Sequence, residues 1–314
     1  MKQTIFTILL LSSLGLVSCR KDKNEPDIKQ YDQQQIQNYI STNHITGMVR
    51  DTVGGDTTGL YYKIILPGSG TPLAYTDNVS FVFQLRSFDG TYQSLDTVDN
   101  HYQGYVGHVV SNALPNGLQL AIINDLKYSG GSMRILIPSH LAYGLSGYGS
   151  GSSQNANSHI LGNQCLDYYV HIIAKQPDVV NAQNIYDYQV IQNYLAADGL
   201  SSLYTLDSGV YYHIQTQGTG TDPITNNSTV EVSYNGRLVN GTEFDESYIG
   251  VDTTSVEIPN LVQGVQRVLR NHAVKGSVVS MFMPSSLGYG QTSITGVPAN
   301  SCLRFEFTVV DVSP

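Results

Sequence analysis

The stretch "IPSHLAYG", residues 137–144, returns near the end of the chain as "MPSSLGYG", residues 283–290. Working outward, "GLYYKIILPGSGT" (59–71) recurs as "GVYYHIQTQGTGT" (209–221). Tyr31, Asp32 and the "IQNY" at 36–39 recur as Tyr186, Asp187 and the "IQNY" at 191–194. The order is kept while the offset drifts by a few residues, so the copies differ by small insertions and deletions of the kind loops absorb. A chain of 314 residues has room for two domains of about 150 residues, each burying its own core. The sequence is read as a tandem duplication.

Ahead of the repeats stands "MKQTIFTILLLSSLGLVSC", a Lys followed by an apolar run from Ile5 to Val17 and then Cys19. The run is too short for a comfortable span of about 20 residues, and a small residue directly before a Cys resembles the bacterial lipobox. That resemblance implies cleavage before Cys19 and lipidation of its thiol. The charged, Gln-rich "RKDKNEPDIKQYDQQQ" that follows has the composition of a solvated tether. The expected organisation is a signal peptide at 1–18, a lipidated tether with a short helix at 19–45, a first domain at 46–176 and a second at 177–314.

Cys165 in "NQCLDYYV" and Cys302 in "NSCLRFEF" hold the same place in each repeat, among strand-forming residues, and read as buried twins too far apart to bridge. Two such Cys and eight scattered His offer no metal-ligand spacing, so neither a metal nor another cofactor is expected. A net charge of −9 with no Lys/Arg cluster in the domains argues against nucleic acid and against electrostatic membrane binding. Lipid is then the expected route to the membrane.

In the second half, Val230, Val232 and Tyr234 alternate with polar residues before a turn at Asn240-Gly241, which predicts a hairpin. Asn260 is placed to cap a short helix with Val262, Val265 and Leu269 on one face, and Gly276 to end it. "SVVSMFMP" and "CLRFEFTVVDV" supply two further strands, separated by a Gly/Ser/Thr-rich loop. The expected fold class is α+β, with each domain a curved antiparallel β-sheet wrapped on one short α-helix.

Tyr234, Gly236, Leu238, Gly241, Phe244-Asp245, "LVQGV", Gly276, "MPSSLGYG" and "VPANSCLRFEF" occur in an order that resembles the FKBP-type peptidyl-prolyl isomerases throughout the second domain. The resemblance implies a proline cup walled by Tyr234, Phe244, Leu261, Val262, Val297 and Phe305 and floored by Val265. Asp245 and Tyr289 would supply polar groups at its rim. It further implies catalysis by Tyr234, Phe244, Asp245, Tyr289 and Phe305, with Pro284 ending a central strand so that the loop beyond it carries Tyr289 over the substrate. The chain departs from the family pattern in having no Trp, so Val265 replaces the usual Trp floor, and in lacking a wall aromatic between Tyr248 and Val256.

The first copy places Phe83 at the position of Tyr234, Leu95-Asp96 at Phe244-Asp245, Leu114-Pro115 at Leu261-Val262 and Leu118 at the floor. It keeps Tyr143 and Ile160. The resemblance therefore implies a second, divergent substrate site at Phe83, Asp96, Tyr143 and Ile160, with fewer aromatic walls and hence a wetter cup. The expected function is isomerisation of X-Pro bonds in exported polypeptides at the bacterial cell envelope, mainly by the second domain. The alternative is a non-catalytic envelope lipoprotein that binds a protein or glycan; its 22 Tyr suit a binding surface.

Overall fold

Strands in this chain arise where Val, Ile, Tyr and Phe alternate with polar residues, and the computed structural model assembles most of them into two seven-stranded sheets of identical strand order, with two short strands forming a separate pair. It describes residues 27–313, apart from 54, 56–57, 109–113, 150–158, 178 and 249–251. The signal peptide and Cys19 lie outside the described residues.

The first domain follows helix α1 (Ile28–Thr42) with β1 (Val49–Arg50), β2 (Tyr61–Leu66), β3 (Asn78–Ser87), β4 (Gln93–Ser94) and β5 (His101–Tyr105). Helix α2 (Asn116–Ala121) continues into a π turn, and β6 (Ser132–Ile137), β7 (Tyr148–Gly149), β8 (His159–Ile160) and β9 (Leu166–Lys175) complete the domain. Helix α3 (Val179–Ala197) leads to β10 (Thr205–Asp207), β11 (Val210–Thr216), β12 (Thr229–Leu238), β13 (Glu243–Ser247) and β14 (Thr254–Glu257). Helix α4 (Gln263–His272), β15 (Val278–Met283) and β16 (Leu303–Ser313) end the second domain.

The sheets run β1-β2-β6-β9-β3-β4 and β10-β11-β15-β16-β12-β13, with β5 and β14 pairing the same central strands, β3 and β12. Every pairing is antiparallel. The α+β architecture expected from the pattern is present twice. The Asn240-Gly241 turn closes β12 onto β13, with Gly241 at φ 91°, a backbone state that costs a residue lacking Cβ nothing.

Each sheet packs its concave face on a short helix. In α4, Val265, Val268 and Leu269 are buried against Val232, Met281 and Phe307, the i, i+3, i+4 stripe of an amphipathic helix. The helix begins and ends differently from the sequence reading. Val262, not Asn260, is the N-cap, and no side chain caps the helix; Asn260 sits in the preceding 3₁₀ turn. The helix stops at His272, and Gly276, at φ 87°, instead turns the chain into β15.

Residues 28–35 are a correction as well: they form the first half of α1 rather than a solvated tether. Ile36 is fully buried beside Leu136 and Cys165. Asp32 accepts hydrogen bonds from Ser139 Oγ at 2.7 Å and from His140 Nδ1 at 2.7 Å. The equivalent Asp187 of α3 accepts from Ser285 N at 2.8 Å and Ser285 Oγ at 2.6 Å. The repeated Tyr-Asp and Pro-Ser motifs are therefore two halves of one joint. A helix carboxylate seizes the Ser that follows the central-strand Pro.

Helix α3 serves both halves. Ala182 and Tyr186 pack on Val82, Ile173 and Ala174 of the first sheet, while Ile191 and Leu195 pack on Phe282 and Cys302 of the second. Cys165 and Cys302 are buried, unbridged thiols. Burial holds both well above the usual thiol range.

Candidate functional site

Period-two alternation on β12 sends Val232 and Tyr234 to the helix side of the second sheet, and the antiparallel register sets Tyr234 opposite Phe307 and Gly236 opposite Phe305. Thr254 and Val256 of β14 border the same space, Leu261, Val262 and Val265 enter from the start of α4, and Tyr289 closes it from the loop after β15. These side chains enclose a cavity of about 200 Å³. Tyr234, Asp245, Leu261, Val262, Val265, Tyr289 and Phe305 all line it.

Phe244 stands edge-on to both Phe305 (centroids 5.7 Å apart, planes at 88°) and Tyr289 (6.3 Å, 79°), the arrangement favoured by aromatic quadrupoles. Gly236 permits that meeting. A Cβ there would lie 2.8 Å from Phe305 Cε1 and 2.9 Å from Phe244 Cζ. Gly236→Ala should displace both rings, lowering stability by about 1–3 kcal/mol and lowering any turnover at this site at least tenfold, as read by urea titration and an isomerisation assay. Val297 is buried in the core cluster behind the cavity and bridges to Ile294, next to Gly296, whose φ is 77°.

The polar groups of the cup are few. Tyr234 donates its hydroxyl to Asp245 Oδ2 at 2.8 Å. Burial and that bond push the Tyr234 pKa up to about 12, and burial also raises Tyr289. Both phenols are thus donors at neutral pH. Sequence reasoning did not pick out Val232, Thr254, Val256, Asn260 or Phe307. Val232 and Phe307 lie on their strands in phase with Tyr234 and Phe305, so alternation extended one pleat further finds them, while Thr254 and Val256 reach the site through the pairing of β14 with Val232 and Val230.

Among the described residues of the first domain, different side chains hold the counterpart positions. By strand register, Phe81 holds the place of Val232, Tyr102 that of Thr254 and Tyr168 that of Phe305. Phe81 stacks on Tyr102 at 4.7 Å, Phe83 leans on Tyr168 at 5.9 Å, and Tyr143 stacks on Tyr148 at 5.0 Å. Phe81, Tyr168 and Ile160 belong to the buried core. Larger, mutually packed rings hold these counterpart positions, which runs against the wetter cup expected there.

Asp96 also departs from its expected place. Register puts Ser94, not Asp96, at the position of Asp245. Asp96 instead accepts from Val98 N at 2.9 Å and from Asn240 Nδ2 of the second domain at 2.7 Å. Leu95 is exposed and borders an open groove of about 390 Å³ on the outer face of the first sheet.

Residues 220–310 match the family model described as FKBP-type peptidyl-prolyl cis-trans isomerase. The match falls within the second domain, where the motif order resembles that family. The FKBP-type peptidyl-prolyl cis-trans isomerase FkpA of Buchnera aphidicola subsp. Schizaphis graminum is 36% identical over 105 residues, covering 33% of this chain and 41% of the relative. FkpA of Escherichia coli K12 is 34% identical over 110 residues, covering 35% and 40% respectively. A crystal structure of FkpA from Escherichia coli aligns at 28% identity with a TM-score of 0.37, over 43% of this chain and 62% of that one. The chain spans about two-fifths of the length of these curated relatives.

Proposed function

We propose that the protein is a peptidyl-prolyl cis-trans isomerase whose activity resides in the second domain, acting on proline-containing polypeptides. The observation that carries this reading is the convergence of Tyr234, Tyr289, Phe305, Val262 and Val265 on one cavity of mixed aromatic, aliphatic and polar lining, with Phe244 packed edge-on behind two of its walls. Tyr234, Asp245, Tyr289 and Phe305 are assigned to catalysis, Leu261, Val262 and Val265 to holding the proline, and Phe244 and Val297, which do not line the cavity, to supporting its walls.

The chemistry asks little of the site. Rotation about an X-Pro bond breaks no σ bond and needs no nucleophile; its barrier comes from amide resonance. Uncatalysed exchange takes roughly 10–100 s, so a turnover of about 10 per second requires about 3–4 kcal/mol of preferential stabilisation. A twisted amide has lost charge separation, and a dry aromatic cup therefore binds it better than the planar ground state. Tyr289, a neutral donor at the rim, is placed to hold a neighbouring carbonyl. The test is catalysis of cis-trans exchange in an Ala-Leu-Pro-Phe peptide by the full chain; no acceleration over the uncatalysed rate would refute the reading.

Because no step transfers a proton, turnover should be flat between pH 6 and 9. The raised Tyr234 pKa keeps its hydroxyl protonated throughout that range, since the phenol loses its proton only near pH 12. A limb with a midpoint inside the window, seen in kcat/KM against pH, would contradict this.

The first domain is assigned a packing and client-contacting role, with Ile160 in its core and Phe83 and Tyr143 packed against that core. No helix among the described residues is long and apolar enough to cross a membrane. The proposed attachment to the bacterial envelope is lipid on Cys19. Cys19→Ser should leave a folded protein that takes up no fatty-acid label and leaves the membrane fraction; labelling of that variant would remove the lipoprotein reading.

A further inference from the structure

A run of buried polar side chains connects the two domains and ends at the loop that carries Tyr289. Ser80, fully buried on β3 of the first domain, donates its hydroxyl to Gln183 Oε1 of α3 at 2.7 Å. Its oxygen is therefore left to accept from His101 Nε2, 2.9 Å away, which places the proton of a neutral imidazole on that nitrogen. Gln183 passes the chain on, its Nε2 donating to Asp187 Oδ1 at 2.7 Å. The other carboxylate oxygen of Asp187 receives both the backbone N–H and the hydroxyl of Ser285.

Ser285 is the hub of the Tyr289 loop. Its carbonyl accepts from Gly288 N at 2.9 Å and Gly290 N at 2.8 Å, the two residues flanking Tyr289. Gly290 O in turn accepts from Asn300 N, and Asn300 Nδ2 donates to Gln103 of the first domain at 3.2 Å. The loop is held from both sides by bonds that originate in the first domain or in the shared helix.

The first copy lacks this device. Asp32 makes the same joint with Ser139, but the residue one turn before it, in the place of Gln183, is Ile28, which carries no side-chain donor or acceptor. Duplication alone explains the Asp-Ser joint. It does not explain a Gln that joins this carboxylate to a Ser in the other domain, with all of its members except His101 almost fully buried, where an unpaired polar group would be costly.

We infer that Ser80, Gln183 and Asp187 form a positioning relay through which the first domain sets the placement of Tyr289 over the proline cup. The inference rests on the isomerase reading for its kinetic arm only. Ser80 and Gln183 touch no part of the cup; they act through Asp187 and Ser285. The loop in this account has a preferred position only when the first domain is docked, which gives the divergent copy a role at the active site without a pocket of its own.

The test uses the full chain. Ser80→Ala should raise the amide exchange rates of Gly288 and Gly290, followed by NMR, about fivefold or more, and lower kcat/KM for the Ala-Leu-Pro-Phe peptide about fivefold, the size expected for one lost buried hydrogen bond. On a Tyr289→Phe background the same substitution should cost distinctly less, because the loop then has only a ring and no hydroxyl to place; a general loosening of the fold would instead cost the same factor in both backgrounds. If Ser80→Ala does not melt cooperatively, Gln183→Leu carries the same pair of measurements. Unchanged exchange at Gly288 and Gly290, or equal kinetic losses with and without the Tyr289 hydroxyl, overturns the relay. Faster exchange in a protein that never accelerates isomerisation sustains the relay and removes the isomerase reading.

Discussion

Phe244→Ala should lower kcat/KM for prolyl isomerisation about thirtyfold while leaving the protein folded. The ring is half-buried, packs edge-on to Phe305 and Tyr289, and backs the mouth of the cavity rather than the centre of the core. Deleting it forfeits about 2 kcal/mol of apolar contact. Without that edge-on support Phe305 and Tyr289 leave the wall positions that favour the twisted amide, and the loss appears in turnover by about the same amount. Tyr289→Phe should cost less, about tenfold at most, since one neutral hydrogen bond is worth about 0.5–1.5 kcal/mol. Phe83→Ala, the matching change in the first domain, should destabilise that domain without altering kcat, because Phe83 packs on Tyr168 and Phe81 inside a filled core. Steady-state kinetics on the three variants, each checked by circular dichroism, decide the matter. Equal kinetic losses from Phe83→Ala and Phe244→Ala would show that the site has been placed in the wrong copy or shared between the two.

The second large effect is on stability. Asp187→Ala should destabilise the second domain by about 3 kcal/mol, since each buried donor left without an acceptor costs about 1–3 kcal/mol. Asp187 is completely buried, and its removal strands three donors at once: the N–H and hydroxyl of Ser285 and the amide of Gln183. Asp32→Ala should act likewise on the first domain, stranding Ser139 and His140. Ser286→Ala, which removes only an exposed bond to Asn184, should cost under about 0.5 kcal/mol. Urea unfolding followed by tyrosine fluorescence suits a chain with 22 Tyr and no Trp. A midpoint for Asp187→Ala no lower than that of Ser286→Ala would mean that the helix joint contributes nothing.

How far these features were legible in the sequence follows from what kind of signal each one leaves. The duplicated sheet was legible because alternation on β12 and the Asn240-Gly241 turn are local, and because the same motifs occur twice in one order. The cup residues came from motif order, and the structure brings Tyr234, Asp245, Tyr289 and Phe305 to one cavity, with Phe244 at their backs. What stayed hidden depends on register and on contacts between distant segments. By spacing Asp96 is the counterpart of Asp245, yet the pairing of Leu85 with Ser94 shifts it past the sheet and into contact with Asn240. The filled first cup was missed because the decisive residues, Phe81 and Tyr102, sit on different strands, at places the motif does not name. The helix joint was visible only as a pair of repeated motifs, Tyr-Asp and Pro-Ser, separated by about a hundred residues, with nothing local to connect them. Residues 28–35 looked like tether because a helix held by one buried Ile and one buried Asp has almost no apolar stripe to read.

The most direct test of the central claim is methyl and amide NMR of the full chain during titration with the Ala-Leu-Pro-Phe peptide, with cis-trans exchange followed in the same samples. The account predicts that substoichiometric protein produces exchange cross-peaks between the two peptide isomers. It also predicts that the resonances that move belong to Val232, Val256, Val262, Val265 and Tyr289, while Leu118, Ile160 and Tyr143 stay where they are. Exchange cross-peaks absent at every ratio, or movement confined to the first domain or to the groove beside Leu95, would contradict it.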